Sequence, residues 1–226
     1  QKFSMARMNG LSASTVVLDI ENGNVSAMSS TPSFNPNTLI TGISSSEWKS
    51  LLNNKKRPLS NKSVSDAYPP GSLFKMIVAI AALEKKVISE NETINCTGLY
   101  ETTASKHHCW LSSGHRSINL NKALKRSCDV FFYEIARRVG IEEIAKTARL
   151  FGLSNTFDLP VSAISKGLIP DSKWKKINHG QRWLLGDTLN AGIGQGYILT
   201  TPMQIAVMTA RIATGTSIIP RLINAK

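Results

Sequence analysis

Tyr68-Pro69-Pro70-Gly71-Ser72-Leu73-Phe74-Lys75 is the stretch on which the reading of this chain turns. Two prolines and a glycine cannot lie inside a helix, but they can deliver the chain sharply to a helix start. From Ser72 to Lys86 the composition is helical and almost wholly apolar on three sides. Positions i and i+3 of a helix share a face, so the Ser72 hydroxyl and the Lys75 ammonium are expected to meet within hydrogen-bond reach. A serine needs a base before it becomes a useful nucleophile, and a lysine held among apolar side chains can be that base. Backbone N–H groups at the helix start would favour the negative charge that develops in acyl transfer. Ser-x-x-Lys alone also fits an N-cap serine with a solvated lysine. Phe74, Met76, Ile77, Val78 and Ile80 surround Lys75 with apolar neighbours, which weighs toward chemistry.

Downstream, Ser127-Cys128-Asp129 precedes Val130-Phe131-Phe132-Tyr133. Ser127 is placed to relay a proton, and Asp129 to bind a substrate amide or to position Lys75; a plain helix N-cap is the other reading. A helix is expected from Leu120 to Val139 and another from Ile141 to Leu150. Asp187 to Thr200, with Gly192, Gly194 and Gly196, reads as a tightly bent loop. Thr201-Pro202 opens a last helix from Met203 to about Ala213. Upstream, Ser14 to Ser29 reads as a hairpin turning at Glu21-Asn22-Gly23-Asn24. Ser29 to Asn37 reads as loop, and Leu39 to Asp66 is weakly patterned with a short helix around Glu47 to Asn53.

The 226 residues suffice for one large domain or a compact two-lobed one. Hydrophobic residues at 42% against 19% charged exclude a disordered chain. The longest apolar run, Met76 to Leu83, is too short to span a bilayer, and Gln1 to Gly10 lacks the features of a signal peptide. If the protein works outside the cytoplasm, an export or anchoring segment is expected upstream of this sequence. The net charge of +12 raises nucleic acid as a partner. The basic residues are scattered, apart from Lys55-Lys56-Arg57 and Lys175-Lys176, and no nucleic-acid motif accompanies them. Nucleic-acid binding is not expected.

Three motifs occur in order: Tyr68 to Lys75, Ser127-Cys128-Asp129-Val130-Phe131-Phe132-Tyr133, and Gly194-Gln195-Gly196-Tyr197-Ile198-Leu199-Thr200-Thr201-Pro202-Met203-Gln204. Together with Ala27-Met28-Ser29-Ser30-Thr31-Pro32-Ser33-Phe34 they resemble the class B penicillin-binding proteins, in the elongation-specific branch. The resemblance implies an α+β fold of the penicillin-binding-protein and serine β-lactamase kind, with a helical lobe against an incomplete antiparallel sheet. It implies a single transpeptidase domain over 1–226 and a peptidoglycan D,D-transpeptidase that acylates Ser72 from D-Ala-D-Ala stem peptides. Lys75 would be the base, Ser127 the relay, Asp129 a further catalytic residue, and Gln195 and Gly196 substrate-binding. Asp129 stands where much of the superfamily has Asn, as in the elongation branch. The resemblance further implies β-lactams as inhibitors, a SEDS-type glycosyltransferase as partner, and the periplasmic face of the inner membrane as location. The family's third motif, Lys-Thr-Gly, is absent; Lys146-Thr147-Ala148 lacks the glycine and falls in an expected helix. The sequence thus reads as stopping before that motif, with Arg211 to Lys226 as the stretch that precedes it and activity of the fragment in question.

Cys96, Cys109, His115 and Cys128 are separated by 13, 6 and 13 residues. Three thiolates and an imidazole make a closed tetrahedral zinc site, which would pin the irregular 96–116 segment beside the second motif. The resemblance to the elongation branch implies the same, since some of its members carry zinc in this segment with ligands at comparable spacing, though not always cysteines. A Cys96–Cys109 disulfide or three free thiols are the alternatives, and His107 and His108 are substitute ligands. Rival functions are a serine β-lactamase or β-lactam sensor, told apart by turnover of the acyl-enzyme, and a non-catalytic scaffold.

Overall fold

The computed structural model describes residues 1–222. In chain order the elements are α1 (Lys2–Arg7), β1 (Ala13–Leu18), β2 (Val25–Thr31), α2 (Asn37–Thr41), α3 (Ser45–Asn53), a 3-10 turn (Gly71–Phe74), α4 (Lys75–Glu84), β3 (Thr93–Cys96), β4 (Leu99–Glu101), β5 (Lys106–His108) and β6 (Arg116–Asn119), followed by α5 (Leu120–Lys125), α6 (Asp129–Val139), α7 (Ile141–Leu150), α8 (Ser172–His179), α9 (Leu185–Gly192) and α10 (Pro202–Thr214). They fall into two compact units. One comprises Gln1–Tyr68, Asn155–Gly167 and the chain from Thr200 onward; the other comprises Pro69–Ser154 and Leu168–Leu199.

In the first unit β1 and β2 pair antiparallel, Ala13 opposite Thr31 and Val16 opposite Met28. The expected hairpin is present. Its apolar face, with Val16, Leu18, Val25 and Met28, packs on a cluster of Val64, Phe157, Leu159, Met203 and Val207. Pro202 sits in the first turn of α10, where Thr201 and Gln204 form a reciprocal capping box. The Gln204 amide, almost wholly buried, also donates to the carbonyls of Asn155 (2.8 Å) and Lys166 (2.9 Å). Two polar positions of the third quoted motif, Thr201 and Gln204, therefore serve the fold: they cap α10 and tie it to the neighbouring loop.

The second unit is built on α4 and α6, which pack against each other, with α7 on α4 and α9 on α6. Phe74, Ile77, Val78, Phe131, Phe132, Ile135 and Ile144 are all fully buried. Each such side chain contributes about 1.5–3 kcal/mol by leaving water. Two short antiparallel pairs, β3 with β6 and β4 with β5, carry the cysteine-containing segment.

Three expectations require correction. Leu120 to Val139 is not one helix: α5 ends at Lys125, Ser127 adopts a left-handed φ of +52°, and α6 starts at Asp129. Part of the expected loop from Asp187 to Thr200 is helical as α9, whose last residue, Gly192, lies so close to α6 that a Cβ there would come within 2.6 Å of the Ala136 Cβ. The glycine marks a close helix–helix approach, not a bend. The helix expected from Ser72 begins instead as a 3-10 turn, and α-geometry starts only at Lys75. Beyond these, α1, α2, α8 and the four short strands of the second unit had no counterpart in the sequence reading.

Gly194 is a genuine bend, with φ +71°, and its carbonyl accepts the Gly71 N–H at 3.0 Å. A Cβ on Gly194 would clash with the Gly71 carbonyl and lie 2.8 Å from the Phe74 Cβ. Gly194→Ala is thus expected to destabilise the protein by about 2–4 kcal/mol, from left-handed strain and a backbone clash together. Because Gly71 precedes Ser72, the same variant should slow any reaction of Ser72. Thermal melting and acylation kinetics on one preparation would check both; a melt unchanged from wild type would refute the close approach.

Candidate active site

Ser72 lies exposed on the 3-10 turn, held there by the Gly71–Gly194 contact behind it and by buried Phe74 two residues on. Lys75, one turn further, is only 1% exposed. Its ammonium donates to the Ser127 carbonyl (2.9 Å), the Ser127 hydroxyl (2.9 Å) and Asp129 Oδ1 (2.6 Å), and lies 5.6 Å from the centre of the Phe132 ring. Those three acceptors match the three N–H groups of a lysine. The Ser127 hydroxyl in turn donates to Ser72 Oγ at 2.7 Å. Among the described residues no hydrogen bond joins Ser72 to Lys75 directly. The expected contact is instead relayed through Ser127, because all three Lys75 donors are committed to Ser127 and Asp129.

The break between α5 and α6 explains how Ser127 reaches this place. A serine in the left-handed region costs about 1 kcal/mol or more. The surrounding bonds hold it: the Ser127 N–H reaches the Leu124 carbonyl (3.2 Å) and the Cys128 N–H the Ala123 carbonyl (2.9 Å). Asp129, in the first turn of α6, splits its carboxylate between Lys75 and the backbone N–H of Trp110, which it accepts through Oδ2 at 2.9 Å. Of the two roles expected for Asp129, this geometry matches the positioning of Lys75.

Ser72, Ser127 and Asp129 line an open cleft of about 610 Å³ together with Gln195, Ile193, His108, Cys109, Trp110 and Tyr133. Gln195, expected to bind substrate, lines this cleft. Gly196 is not among the lining residues; with φ +72° it shapes the loop backbone. His108, Trp110 and Tyr133 were missed in the sequence. Trp110, an aromatic residue directly after a cysteine in a polar loop, was the readable signal. Lys146-Thr147-Ala148 lies within α7, with Thr147 buried, so it lines no part of the cleft.

Cys96, Cys109, His115 and Cys128 are all buried, and one ligand-type atom from each lies within 4.8 Å of all the others. The pairing of β3 with β6 places Cys96 opposite Arg116 and hence beside His115. His115 Nδ1 faces the sulfurs of Cys96 (3.7 Å) and Cys109 (3.5 Å), whereas its Nε2 is buried without a hydrogen-bond partner among the described residues. None of the three cysteines forms a disulfide. Burial, followed by the neighbouring sulfurs, pushes the Cys128 thiol well above its ordinary range despite an opposing bond from the Phe131 backbone. Burial also lowers the His115 pKa, with Arg126 and Lys75 adding to the effect and Asp129 opposing it. A neutral imidazole suits a metal, and three crowded sulfurs become comfortable thiolates only around a cation. These four residues could hold zinc; His107 and His108 are not part of the cluster.

The family of the penicillin binding protein transpeptidase domain matches residues 13–226. This chain belongs to that family. Among its transpeptidase relatives, the peptidoglycan D,D-transpeptidase MrdA of Haemophilus influenzae is 36% identical over 92% of the chain, which covers 32% of that protein. The fold is equally close to that of Helicobacter pylori penicillin-binding protein 2, with a TM-score of 0.95 and 36% identity over the whole chain and 43% of the solved one. The H. pylori protein has also been solved in complex with MreC. Penicillin-binding protein A of Mycobacterium tuberculosis, solved as an imipenem acyl-enzyme complex, superposes at TM-score 0.77 with 26% identity over 90% of the chain and 46% of that protein. The chain spans about a third of the length of the curated relatives it matches. Among the described residues no helix is long and apolar enough to cross a membrane.

Proposed function

We propose that this chain supplies the acyl-enzyme centre of a peptidoglycan D,D-transpeptidase. The observation that carries the reading is the continuous hydrogen-bonded line from Lys75 through the Ser127 hydroxyl to Ser72 Oγ, opening into a cleft that can admit a peptide. Acylation begins once the Lys75 ammonium has given one proton to solvent and Ser127 has turned its hydroxyl from Ser72 to the resulting amine. Lys75 keeps two N–H bonds, to Asp129 and the Ser127 carbonyl, and turns its lone pair to the Ser127 hydroxyl. Ser72 Oγ attacks the carbonyl of the penultimate D-Ala; its proton passes to Ser127 as the Ser127 proton passes to Lys75. When the peptide C–N bond breaks, the proton returns along the same line to the departing amine, and an ester on Ser72 remains. An amine of a neighbouring stem then attacks that ester and loses its proton by the reverse path. A β-lactam would follow the first half only, its ring amide opening to a stable Ser72 ester.

Cys96, Cys109, His115 and Cys128 would hold a structural zinc ion, with no open position and no part in the reaction. Its service would be to fix Ser127 and Asp129 from Cys128, and Trp110 from Cys109. By analogy with the H. pylori protein found with MreC, the protein would work in an elongation assembly with a SEDS-type glycosyltransferase. It would face the periplasm from an anchor in the inner membrane. The fold similarity supports those placements; it does not carry them.

The test is intact-mass spectrometry of the full-length protein after exposure to a penicillin, followed by peptide mapping. One adduct per chain on the peptide containing Ser72, persisting over hours, is the expected result. An adduct that disappears within seconds would replace the transpeptidase by a β-lactam hydrolase. No adduct at all would overturn the acyl-enzyme reading.

A further inference from the structure

Trp110 is an anomaly of burial. It is the most exposed of the four tryptophans, at 64%, yet both of its N–H groups are anchored. Its indole Nε1–H donates to the Arg126 carbonyl at 3.0 Å, and its ring meets the His115 ring edge-on with 5.4 Å between centres. Its backbone N–H is the one that Asp129 accepts. The ring is therefore held in one orientation while most of its surface faces solvent, so it gives the fold little apolar burial for its size. A single exposed aromatic residue is ordinary on a protein surface. A rigid one on the wall of the cleft that contains Ser72, Ser127 and Gln195 is not explained by packing.

We propose that Trp110 is a specificity-determining residue: its indole face is a platform for the apolar or planar side chain that an acyl donor carries next to the carbonyl attacked by Ser72. This rests on the acyl-enzyme reading above. A pre-oriented aromatic side chain loses no further rotamer freedom when a ligand stacks on it, so the contact is gained at small entropic cost. The donor is the occupant because it must reach Ser72 through the cleft that Trp110 lines, and it does so before any acceptor amine enters. The ring contributes no proton and no charge. It discriminates among donors by what they carry beside the reacting bond.

The experiment compares second-order acylation rates of the full-length protein with two probes. One is a penicillin bearing an arylacetyl side chain; the other is 6-aminopenicillanic acid, the same nucleus without that group. In Trp110→Ala the ratio of the two rates should fall about tenfold, the size of one lost aromatic contact. Trp110→Phe and Trp110→Tyr should recover most of the ratio, which guards against a folding defect in the alanine variant. Equal losses with both probes would show that Trp110 acts only through Asp129, and would overturn the proposal. An unchanged ratio with loss confined to cross-linking would move the platform to the acceptor and overturn it too. If the unaltered protein is acylated by neither probe, the acyl-enzyme reading itself fails and this inference falls with it.

Discussion

Lys75→Met is expected to slow acylation of Ser72 by about 10²–10⁴-fold yet to destabilise the protein less than Asp129→Ala, which removes the partner of the same ion pair. The asymmetry follows from where each charge sits. The Lys75 side chain is 1% exposed and that of Asp129 14%. Losing the carboxylate strands an ammonium that has two neutral oxygens and the Phe132 face for company. Breaking a buried pair in that way costs about 3–5 kcal/mol. Losing the ammonium leaves a carboxylate that still accepts the Trp110 N–H and can recruit water from the cleft, while methionine fills nearly the same volume among Phe132 and its neighbours. Lys75→Met/Asp129→Asn should then be more stable than Asp129→Ala alone, since no charge remains to be buried. Denaturant melts of the three variants and stopped-flow acylation with a fluorescent penicillin give both orderings. If Lys75→Met proved the more destabilising, the pair would not be doing what its burial implies.

The parts of this site that could be read from sequence are those set by local chemistry. Pro69-Pro70-Gly71 places Ser72 at an element start because proline fixes φ and glycine admits the positive φ of +56° found at Gly71, whatever surrounds them, and the apolar run after Lys75 favours its burial. Ser127 was legible as a relay but its delivery was not. Nothing in Lys125-Arg126-Ser127-Cys128 carries a helix breaker; the left-handed φ at Ser127 is imposed by bonds to Leu124 and Lys75, the second of them 52 residues away. Tertiary contacts decide such positions. The direct Ser72–Lys75 contact failed for a related reason: the break between α5 and α6 and the first turn of α6 bring three acceptors that take all the Lys75 donors.

Gly192 shows the limit in another form. A glycine in a Gly-rich segment reads as a bend, yet here it is needed because α9 lies close on α6, and only the packed partner reveals it. Conversely α8 had readable ends. Asp171 accepts the Trp174 N–H as an N-cap, and Gly180 closes the helix in the left-handed conformation. Its polar, weakly periodic middle hid it. The cysteine cluster lies between these cases. Residue types and spacing suggested the ligand set, but a spacing of 13, 6 and 13 is silent on distance. It is the β3–β6 register that brings Cys96 to His115.

Removal of metal by a strong chelator is expected to lower the melting temperature by about 10 °C or more and to slow acylation at least about tenfold, if the four ligands hold zinc as proposed. The magnitude rests on what the cluster costs without a cation. Burial pushes the Cys128 thiol above its ordinary range, and it is packed against the buried Cys96 and Cys109 sulfurs with the His115 Nδ1 facing the same point. Zinc would take the sulfurs as thiolates together with the His115 Nδ1 that faces them, and zinc-finger peptides gain about 10–16 kcal/mol from comparable ligand sets at neutral pH. The effect on acylation follows from chain connectivity. Cys128 separates Ser127 from Asp129, and Cys109 adjoins Trp110, whose N–H holds the second carboxylate oxygen of Asp129. A cluster that relaxes by even a fraction of an ångström must move the relay and the residue that positions Lys75. Cys128→Ser should reproduce both losses without chelator, and its melt should no longer respond to added zinc. Elemental analysis of untreated protein should find one zinc per chain. A metal content near zero, with a melt and an acylation rate indifferent to chelator, would establish the cluster as packed thiols and remove the ion from the account of how this site is held.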